Sequence, residues 1–442
     1  MAWNCMENYI VSSSSVSLLT PQREHPSSAA SHQVRSLLVR GVLSEEKPWH
    51  KRIYAEIDCA KRPRESFERQ SQPQHHLENA ISPLTRIKNF DPVGSTILEI
   101  MHLFYLGGMK WLLEKWILRK ANPARLKLIE VKKLTKIMAM LKSDIPSDFQ
   151  RNEFDVNQVS RWKATQYRFM LNYCGAVVLR RILSPVFYEH FLLLVVASRI
   201  LNRKDVVRTH SDYAENLLIK FFTLLELYGP HCKVLSWHNF IHVADDAKKF
   251  KIPLEDLSGF WGENFIGIFK NLVKSHSKPL TQIINRLDEQ QTGNNMKIQK
   301  KYVLSNWVLS KKSEVFENWV TADSVKIHDV ILKATRPDNI IQLTNGEIFS
   351  IEKIWVKKQL PKFFNDLREI SFEGRKGSDI RDVFSHPTPS SDIGILQMRG
   401  FQITTVSITA SQYRSKCCLL HVNSKKFVIR LLHSEFVKFE DD

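Results

Sequence analysis

HNFIHVADD at 238–246 and ENFIGIFK at 263–270 are the stretches from which the fold of this chain is best predicted. Both carry apolar residues at helical spacing together with polar residues at fixed places. Other uncommon motifs accompany them in a fixed order: HH at 75–76, SPL at 82–84, EIMHL at 99–103, DIPSDF at 144–149, RWKATQYRFML at 161–171, YEHFLLL at 188–194 and PLTQIINRL at 279–287. These motifs mark residues 61–295 as one domain.

Helical periodicity dominates from about residue 95 to 290. Thr96 and Glu99 have the three-residue spacing of a capping box, which predicts a helix that starts there. Apolar residues spaced near four apart from Tyr213 to Tyr228 predict a second helix that ends at the following glycine. The domain at 61–295 is therefore expected to be mainly helical.

After about residue 330 the sequence changes to short apolar runs typical of strands. Asn345 and Gly346 form the strongest hairpin signal, because both residues tolerate the positive φ of a type I′ turn. We expect a small β-rich domain at 331–442, preceded by a helical connector at 296–330. The expected fold class is α+β.

The N-terminal residues 1–60 are rich in serine and have little apolar periodicity, which predicts a disordered leader. The longest uncharged apolar stretch, Phe191 to Ser198, is far shorter than the roughly 20 residues that span a bilayer. No membrane anchor and no secretion signal are predicted. The 6 cysteines form no CxxC pair and indicate reduced, intracellular thiols.

The charge balance is strongly basic, with 64 Lys and Arg against 46 Asp and Glu and a formal net charge of +18. Such a chain attracts polyanions such as DNA at long range, although many basic proteins bind no nucleic acid. Motifs for nucleotide-binding loops, serine nucleophiles and cysteine-rich zinc sites are absent from the sequence. No small-molecule substrate is expected.

The ordered motifs resemble the C-terminal half of cut-and-paste transposases of the CACTA (En/Spm-like) kind, especially transposon-derived proteins of animal genomes. The resemblance covers about residues 60–295 and extends loosely to the C-terminus. It implies a remnant of a ribonuclease-H-like domain with a helical insertion, DNA as the partner and a nuclear location. The family's first catalytic aspartate belongs upstream, where this chain has only the leader that does not match. An incomplete acidic triad is therefore expected.

Transposases of this kind use three acidic side chains to hold two Mg²⁺ ions, which prefer oxygen ligands. The resemblance makes Glu263, in ENFIGIFK, the first candidate and Glu99, in EIMHL, the second, both as catalytic residues and as metal ligands. Each has a structural alternative: Glu263 as a first-turn glutamate favoured by the helix dipole, and Glu99 as part of a capping box. Asp148 or an acid from another subunit would be the third carboxylate.

His238 and His242 are four residues apart, so both imidazoles lie on one helical face and could hold a metal ion. The HExxH motif of metalloproteases is excluded, because Asn239 stands where that motif has glutamate. The alternative is a pair of histidines that hydrogen bond across a packing contact.

Basic residues interleaved with aromatic residues suit phosphate contact and base stacking. The predicted nucleic-acid contacts are Arg161, Lys163, Arg168, Arg180, Arg181, Lys270 and Lys274. A second basic stretch, either a solvated helix face or a DNA track, contains Lys110, Lys115, Arg119, Lys120, Arg125, Lys127, Lys132, Lys133 and Lys136.

The sequence therefore predicts a transposon-derived protein that binds DNA and, as it stands, is not an enzyme. One alternative is a non-enzymatic module that binds proteins or associates with itself. The second alternative is a metal-dependent DNA strand-transfer nuclease, for which Mg²⁺ would be the cofactor.

Overall fold

The structure is a computed structural model that describes most of the chain between residues 53 and 434. The described residues are 53–58, 63–71, 81–119, 122–229, 231–294, 305–310, 313–327, 329–361, 363–364 and 366–434. Most of the leader predicted to be disordered, and the HH pair at 75–76, lie outside these residues. Within the described part of the leader, Tyr54 is buried and its amide donates to the carbonyl of Lys233. The helical part therefore includes residues before the predicted boundary at 61.

The first part of the chain, up to residue 294, is mainly helical, as predicted. Its α-helices are α1 Arg64–Glu68, α2 Lys110–Ile117, α3 Leu128–Met140, α4 Ala164–Phe169, α5 Gly175–Val178, α6 Pro185–Leu201, α7 Val207–Thr223, α8 Leu235–His238, α9 Val243–Phe250, α10 Phe260–Leu272 and α11 Pro279–Asn294. Two π-helices span Met101–Met109 and Met170–Cys174. Short 3₁₀ helices include Pro83–Arg86, Leu141–Asp144, Val156–Arg161, Leu179–Arg181, Leu224–Tyr228, Asn239–His242 and Leu254–Leu257. Among the helices of the described residues, none combines the length and the apolar character needed to cross a membrane.

The helix predicted between Tyr213 and Tyr228 is confirmed. It consists of α7 and the 3₁₀ helix Leu224–Tyr228, and it ends at Gly229. Gly229 has a φ of 121°, a backbone conformation that glycine adopts without steric cost.

The second part of the chain forms an antiparallel sheet. Its strands are β1 Ser305–Leu309, β2 Val315–Phe316, β3 Trp319–Ile327, β4 Val330–Lys333, β5 Ile340–Leu343, β6 Ile348–Lys357, β7 Phe363–Phe364, β8 Ile370–Ser378, β9 Arg381–Asp382, β10 Ile395–Met398, β11 Gly400–Thr409, β12 Tyr413–Val422 and β13 Lys425–Arg430. The main path of paired strands runs β7, β1, β3, β6, β5, β12, β13, β10, β9, and β8 pairs with β6 and β11. The predicted α+β class is confirmed.

The helical connector predicted at 296–330 is wrong where the structure describes it, because β1, β2 and β3 lie there. Val325 and Ile327 are buried at alternate positions of β3, which is the period of a strand. Glu317, with a φ of 50°, makes the tight turn that joins β2 to β3. The β-rich part therefore begins at residue 305 rather than 331.

The hairpin predicted at Asn345 and Gly346 is confirmed, but its predicted turn type is wrong. Of these two residues only Gly346 has positive φ, at 89°. Its amide donates to the carbonyl of Leu343, and the amide of Leu343 donates to the carbonyl of Glu347. This pattern is a three-residue loop in which a type I turn precedes a glycine bulge. The side-chain oxygen of Asn345 accepts a hydrogen bond from the amide of Glu347 and braces this turn.

Strand β12 connects the two parts of the chain through its two faces. Cys418, Leu420 and Val422 belong to the core that they share with the helices. Cys417 and Leu419, at the alternating positions, pack instead against other strands. Because successive side chains of a strand point to opposite faces, one strand can complete two cores. The helical part and the sheet therefore share a continuous core.

The polar centre of this joint is Lys416, whose side chain on β12 is fully buried. Its Nζ donates to Oδ2 of Asp148 at 2.5 Å, to Oδ1 of Asp338 at 2.8 Å and to the carbonyl of Ile331 at 2.7 Å. An ammonium group has three protons, so each finds an acceptor here. Asp148 lies in the helical part, whereas Asp338 and Ile331 lie in the sheet.

The motif DIPSDF at 144–149 is the segment of the helical part that docks on the sheet. At its start, Asp144 accepts from the amide of His421 at 2.7 Å and pairs with Arg336 at 2.7 Å. At its end, Asp148 contacts Lys416 with one oxygen and His433 with the other. The suggestion that Asp148 completes an acidic site with Glu99 and Glu263 does not agree with this placement.

Two buried arginines of the helical part also donate to the sheet. Arg199 on α6 is fully buried and donates to the carbonyl of Ile393 at 2.7 Å and to that of Arg430 at 3.0 Å. Arg203 donates to the carbonyl of Asp392. A buried cation is costly unless it finds hydrogen-bond acceptors, and these carbonyls have fixed positions in the sheet part. The two parts must therefore pack in one relative position to satisfy both arginines.

We expect the contribution of Asp148 to stability to be lost in acid. Burial acts to raise the pKa of Asp148, but hydrogen bonds from His433 and Lys416 outweigh it and lower the pKa from 3.8 to about 2. A carboxylate with a lowered pKa stabilises the fold above its unfolded-state pKa and stops doing so as the pH falls through the folded-state value. The contribution corresponds to about 2 kcal/mol.

The measurement is denaturant unfolding of the unchanged protein and of Asp148→Asn between pH 5 and pH 2. The difference in unfolding free energy between them should shrink by about 2 kcal/mol over this range. Asp323→Asn is the control, since Asp323 is exposed and the described residues include no ion-pair partner for it. A difference for Asp148→Asn that stays constant with pH would contradict the buried ion pair.

Candidate functional site

The carboxylate of Glu99 is buried and accepts four hydrogen bonds. Oε1 accepts from the amide of Met101 at 2.7 Å and from the amide of Gly259 at 2.6 Å. Oε2 accepts from the amide of His102 at 2.9 Å, and Nδ1 of the same histidine lies 2.6 Å away. A carboxylate only accepts, so Nδ1 of His102 carries the proton of this bond. Glu99 thus caps the π-helix Met101–Met109 and also holds the residue that precedes α10.

These hydrogen bonds keep Glu99 ionised. Burial acts to raise the pKa of Glu99, but the hydrogen bonds from His102, Gly259 and Met101 outweigh burial and lower the pKa. The predicted capping box is wrong, because the hydroxyl of Thr96 donates to the carbonyl of Pro92 and the side chain of Glu99 itself caps the helix. The sequence therefore identified the right residue as a cap but with the wrong partner.

Glu263 lies on α10, one turn after the residue that Glu99 holds. Its amide donates to the carbonyl of Gly259, and its side chain is exposed. An added Cβ at Gly259 would lie 3.1 Å from Cδ of Glu99, so the close approach of the two segments favours glycine. The structure thus brings Glu99 and Glu263 to the start of the same helix, with one carboxylate buried and the other in solvent.

His238 and His242 are buried and face each other. Their Nε2 atoms are 3.0 Å apart, the distance of a hydrogen bond between two imidazoles. Phe222 packs edge-on against His238, with ring centroids 5.6 Å apart. The geometry fits the packing alternative that the sequence left open.

Three of the predicted motifs meet around this site. Asp246, at the end of HNFIHVADD, accepts from the amide of Leu98 at 2.8 Å. Glu99, at the start of EIMHL, accepts from Gly259, just before the helix that carries ENFIGIFK. Gly108 packs so closely against the ring of Phe240 that an added Cβ would be 2.6 Å from it. The motifs are therefore parts of one packed unit, although they are up to 160 residues apart in sequence.

The residues at this site do not fit the two-magnesium centre that the resemblance implies. The acceptor positions of Glu99 are filled by protein donors, so a metal ion would have to displace one of them. Asp148 lies in the joint with the sheet instead. In the part of the chain that the structure describes, no cluster of three or more His, Cys, Asp or Glu side chains could hold a metal ion. Glu99, Glu263, His238 and His242 are thus brought into one region but not into one ligand set.

Arg168, one of the predicted nucleic-acid contacts, has its charge balanced inside the protein. Its Nε lies 3.1 Å from Oε1 of Glu255, and its guanidinium lies over the ring of Phe260, 5.5 Å from the centroid. Burial acts to lower the pKa of Arg168, but the charge of Glu255 outweighs burial and raises it. Tyr105 donates to the same carboxylate. Arg168 therefore helps to hold α4 against α10 and is not a free phosphate contact.

Several other predicted basic residues are exposed around helix α3, whereas Lys110 and Lys115 are half-buried, Arg119 pairs with Glu114, and Lys120 lies outside the described residues. We define the basic surface by its members Lys132, Lys133, Lys136, Arg161, Lys163, Arg180 and Arg181. All are exposed, and none pairs with an acid of the described chain. Helix α3 contacts both the 3₁₀ helix Val156–Arg161 and α5, which leads into Leu179–Arg181. The elements that carry these cations therefore adjoin. Lys270 and Lys274 are exposed at the end of α10 instead.

One family model matches part of this chain. Residues 305–438 match a family model described as Domain of unknown function (DUF8592). The match begins where β1 begins, which agrees with a sheet that starts at residue 305. No curated protein and no solved structure matches the chain.

We expect Glu99→Gln to destabilise the protein and Glu263→Gln to leave its stability unchanged. The glutamine amide would place an N–H₂ group against buried amide donors, at a cost of about 2–4 kcal/mol. Glu263 is exposed, so its variant should change the unfolding free energy by less than about 0.5 kcal/mol. Chemical unfolding of both variants measures this. Equal stabilities of the two variants would show that Glu99 is not the cap described above.

Proposed function

We propose that this protein is a transposon-derived, DNA-binding protein related to CACTA transposases and that it lacks a complete catalytic acidic triad. The observation that carries the proposal is the basic surface. Its cations are exposed and form no ion pairs with the described acids, whereas other cations of the chain are paired inside the fold. A surface of this kind is favourable for a polyanion and unfavourable for the isolated protein, because like charges repel.

DNA suits the arrangement of these cations better than a small anion does. The cations are spread over α3 and the two elements that contact it, so they can reach several phosphates along a backbone. Binding would release counterions, and it would weaken as salt rises. The nuclear location implied by the resemblance belongs to the same proposal.

We propose that the helical part is a remnant of a ribonuclease-H-like domain, because three motifs that carry the resemblance pack against one another. EIMHL, HNFIHVADD and ENFIGIFK pack together around Glu99, as the segments of a former catalytic region would. Glu99 serves there as a helix cap, whereas Glu263 presents its carboxylate to solvent. We therefore propose that the protein retains a DNA-binding surface but does not assemble the acidic site.

Replacing Lys132, Lys133 and Lys136 together by glutamine should weaken binding to a DNA duplex roughly tenfold at moderate salt. The slope of log affinity against log salt should fall by about 1 for each phosphate contact that is lost. Binding of a fluorescent duplex over a salt series measures both quantities.

The matched control replaces Lys88, Lys204 and Lys220, which are also exposed and have no ion-pair partner in the described residues. Both triple variants change the net charge equally, so only a local contact distinguishes them. Equal affinities for the two variants, or no binding by the unchanged protein, would contradict the proposal. DNA cleavage in Mg²⁺ that Glu263→Gln abolishes would favour the nuclease alternative.

The exposed apolar residues of α10 and α11 favour a second function, association with another protein or with a second copy. Ile268 is 50% exposed, and Leu280 and Ile284 are 68% and 50% exposed. Helices α10 and α11 contact each other, and apolar side chains that are exposed together on neighbouring elements mark interaction sites. Within the described chain, these helices bury few of their own side chains.

If this face mediates self-association, Ile268→Ser combined with Ile284→Ser should shift the protein to monomer in sedimentation velocity over a concentration series. Val186→Ser is the control, because Val186 is comparably exposed on α6. A protein that is monomeric at every concentration before any substitution would contradict self-association through this face.

A further inference from the structure

A surface pocket lies where the helical part meets the tip of the β12–β13 hairpin. Arg180 and Arg181 line it from the helical part, and Lys425 and Asn423 line it from the hairpin. The buried apolar side chains of Val177, Val422 and Phe427 complete its lining. The pocket is thus built by both parts of the chain, including the domain of unknown function.

The hairpin side of the pocket is held by a tight turn. Asn423 and Ser424 have φ values of 50° and 62°, and Val422 pairs with Lys425 across them. Positive φ at both central residues of a two-residue loop is the type I′ turn that fits the twist of a hairpin. The position of Lys425 is therefore set by the strands.

The helical side of the pocket is equally anchored. Arg180 and Arg181 follow Leu179, which is fully buried, in a 3₁₀ helix. The described residues provide no acidic partner for Arg180, Arg181 or Lys425. Three cations around an apolar lining repel one another until an anion binds between them.

We propose that this pocket binds one phosphate of the DNA backbone, so that the sheet of unknown function takes part directly in DNA binding. The inference rests on the proposed function and deepens it. A guanidinium offers two parallel N–H donors to phosphate oxygens, and the lysine adds a point charge from the opposite side. A backbone phosphate is favoured over a free anion because Arg180 and Arg181 continue the basic surface, through α5, to α3.

The test compares Lys425→Gln, Arg181→Gln and the double variant in the full chain, with Lys220→Gln as the control of equal charge. Binding to a fluorescent duplex is measured over a salt series. Lys425→Gln should weaken binding more than the control does and reduce the salt slope by about 1. The double variant should lose less than the product of the two single losses, because both residues would hold the same phosphate. Circular dichroism verifies that each variant is folded.

Three results would overturn the inference. In the first, Lys425→Gln binds DNA as tightly as Lys220→Gln does, while the triple variant of α3 binds more weakly. The pocket would then not contact DNA, and the proposed function would stand. No binding by the unchanged protein overturns both. Inorganic phosphate alone is the last probe. If phosphate raises the melting temperature of the unchanged protein but not that of Arg181→Gln, and Lys425→Gln leaves DNA binding unchanged, the pocket is a site for a small phosphate.

Discussion

The buried ammonium of Lys416 is the constraint on which the arrangement of the two parts depends. A charge removed from water is costly unless every proton finds an acceptor, and here the acceptors come from Asp148, Asp338 and a backbone carbonyl. Only one relative position of DIPSDF and the sheet provides all three. Arg199 and Arg203 repeat this requirement with backbone carbonyls of the sheet part. Lys416 of the sheet therefore has all its hydrogen-bond acceptors only when the helical part is in place.

Ion pairs and hydrogen bonds inside the fold use several of the acidic side chains of the chain. Asp144, Asp148 and Glu255 pair with the cations of Arg336, Lys416 and Arg168, and Glu99 accepts from backbone amides and a histidine. The seven cations of the basic surface have no acidic partners in the described chain. The same docking fixes the β12–β13 hairpin beside Arg181, where the two parts form one cationic pocket.

Local sequence patterns predicted the features that depend on neighbouring residues alone. The helix that ends at Gly229, the hairpin at Gly346 and the α+β class follow from periodicity and turn chemistry, and they are confirmed. The roles of Glu99 and Asp148 could not be predicted, because their partners are 160 and 268 residues away. The strands at 305–327 were missed because their alternation is short and is interrupted by polar residues. Strands were expected from the apolar residues at 419–422 and 427–429 and are confirmed, whereas the type I′ turn at Asn423 between them was not predicted.

Hydrogen–deuterium exchange of the full chain with and without a DNA duplex tests the central claim most directly. The account predicts slower amide exchange, on addition of DNA, in α3, in the segment 179–181 and at the tip of the β12–β13 hairpin, with little change in α10 and α11. Exchange that slows only in α10 and α11, or nowhere, would contradict a DNA contact made by the basic surface and the hairpin.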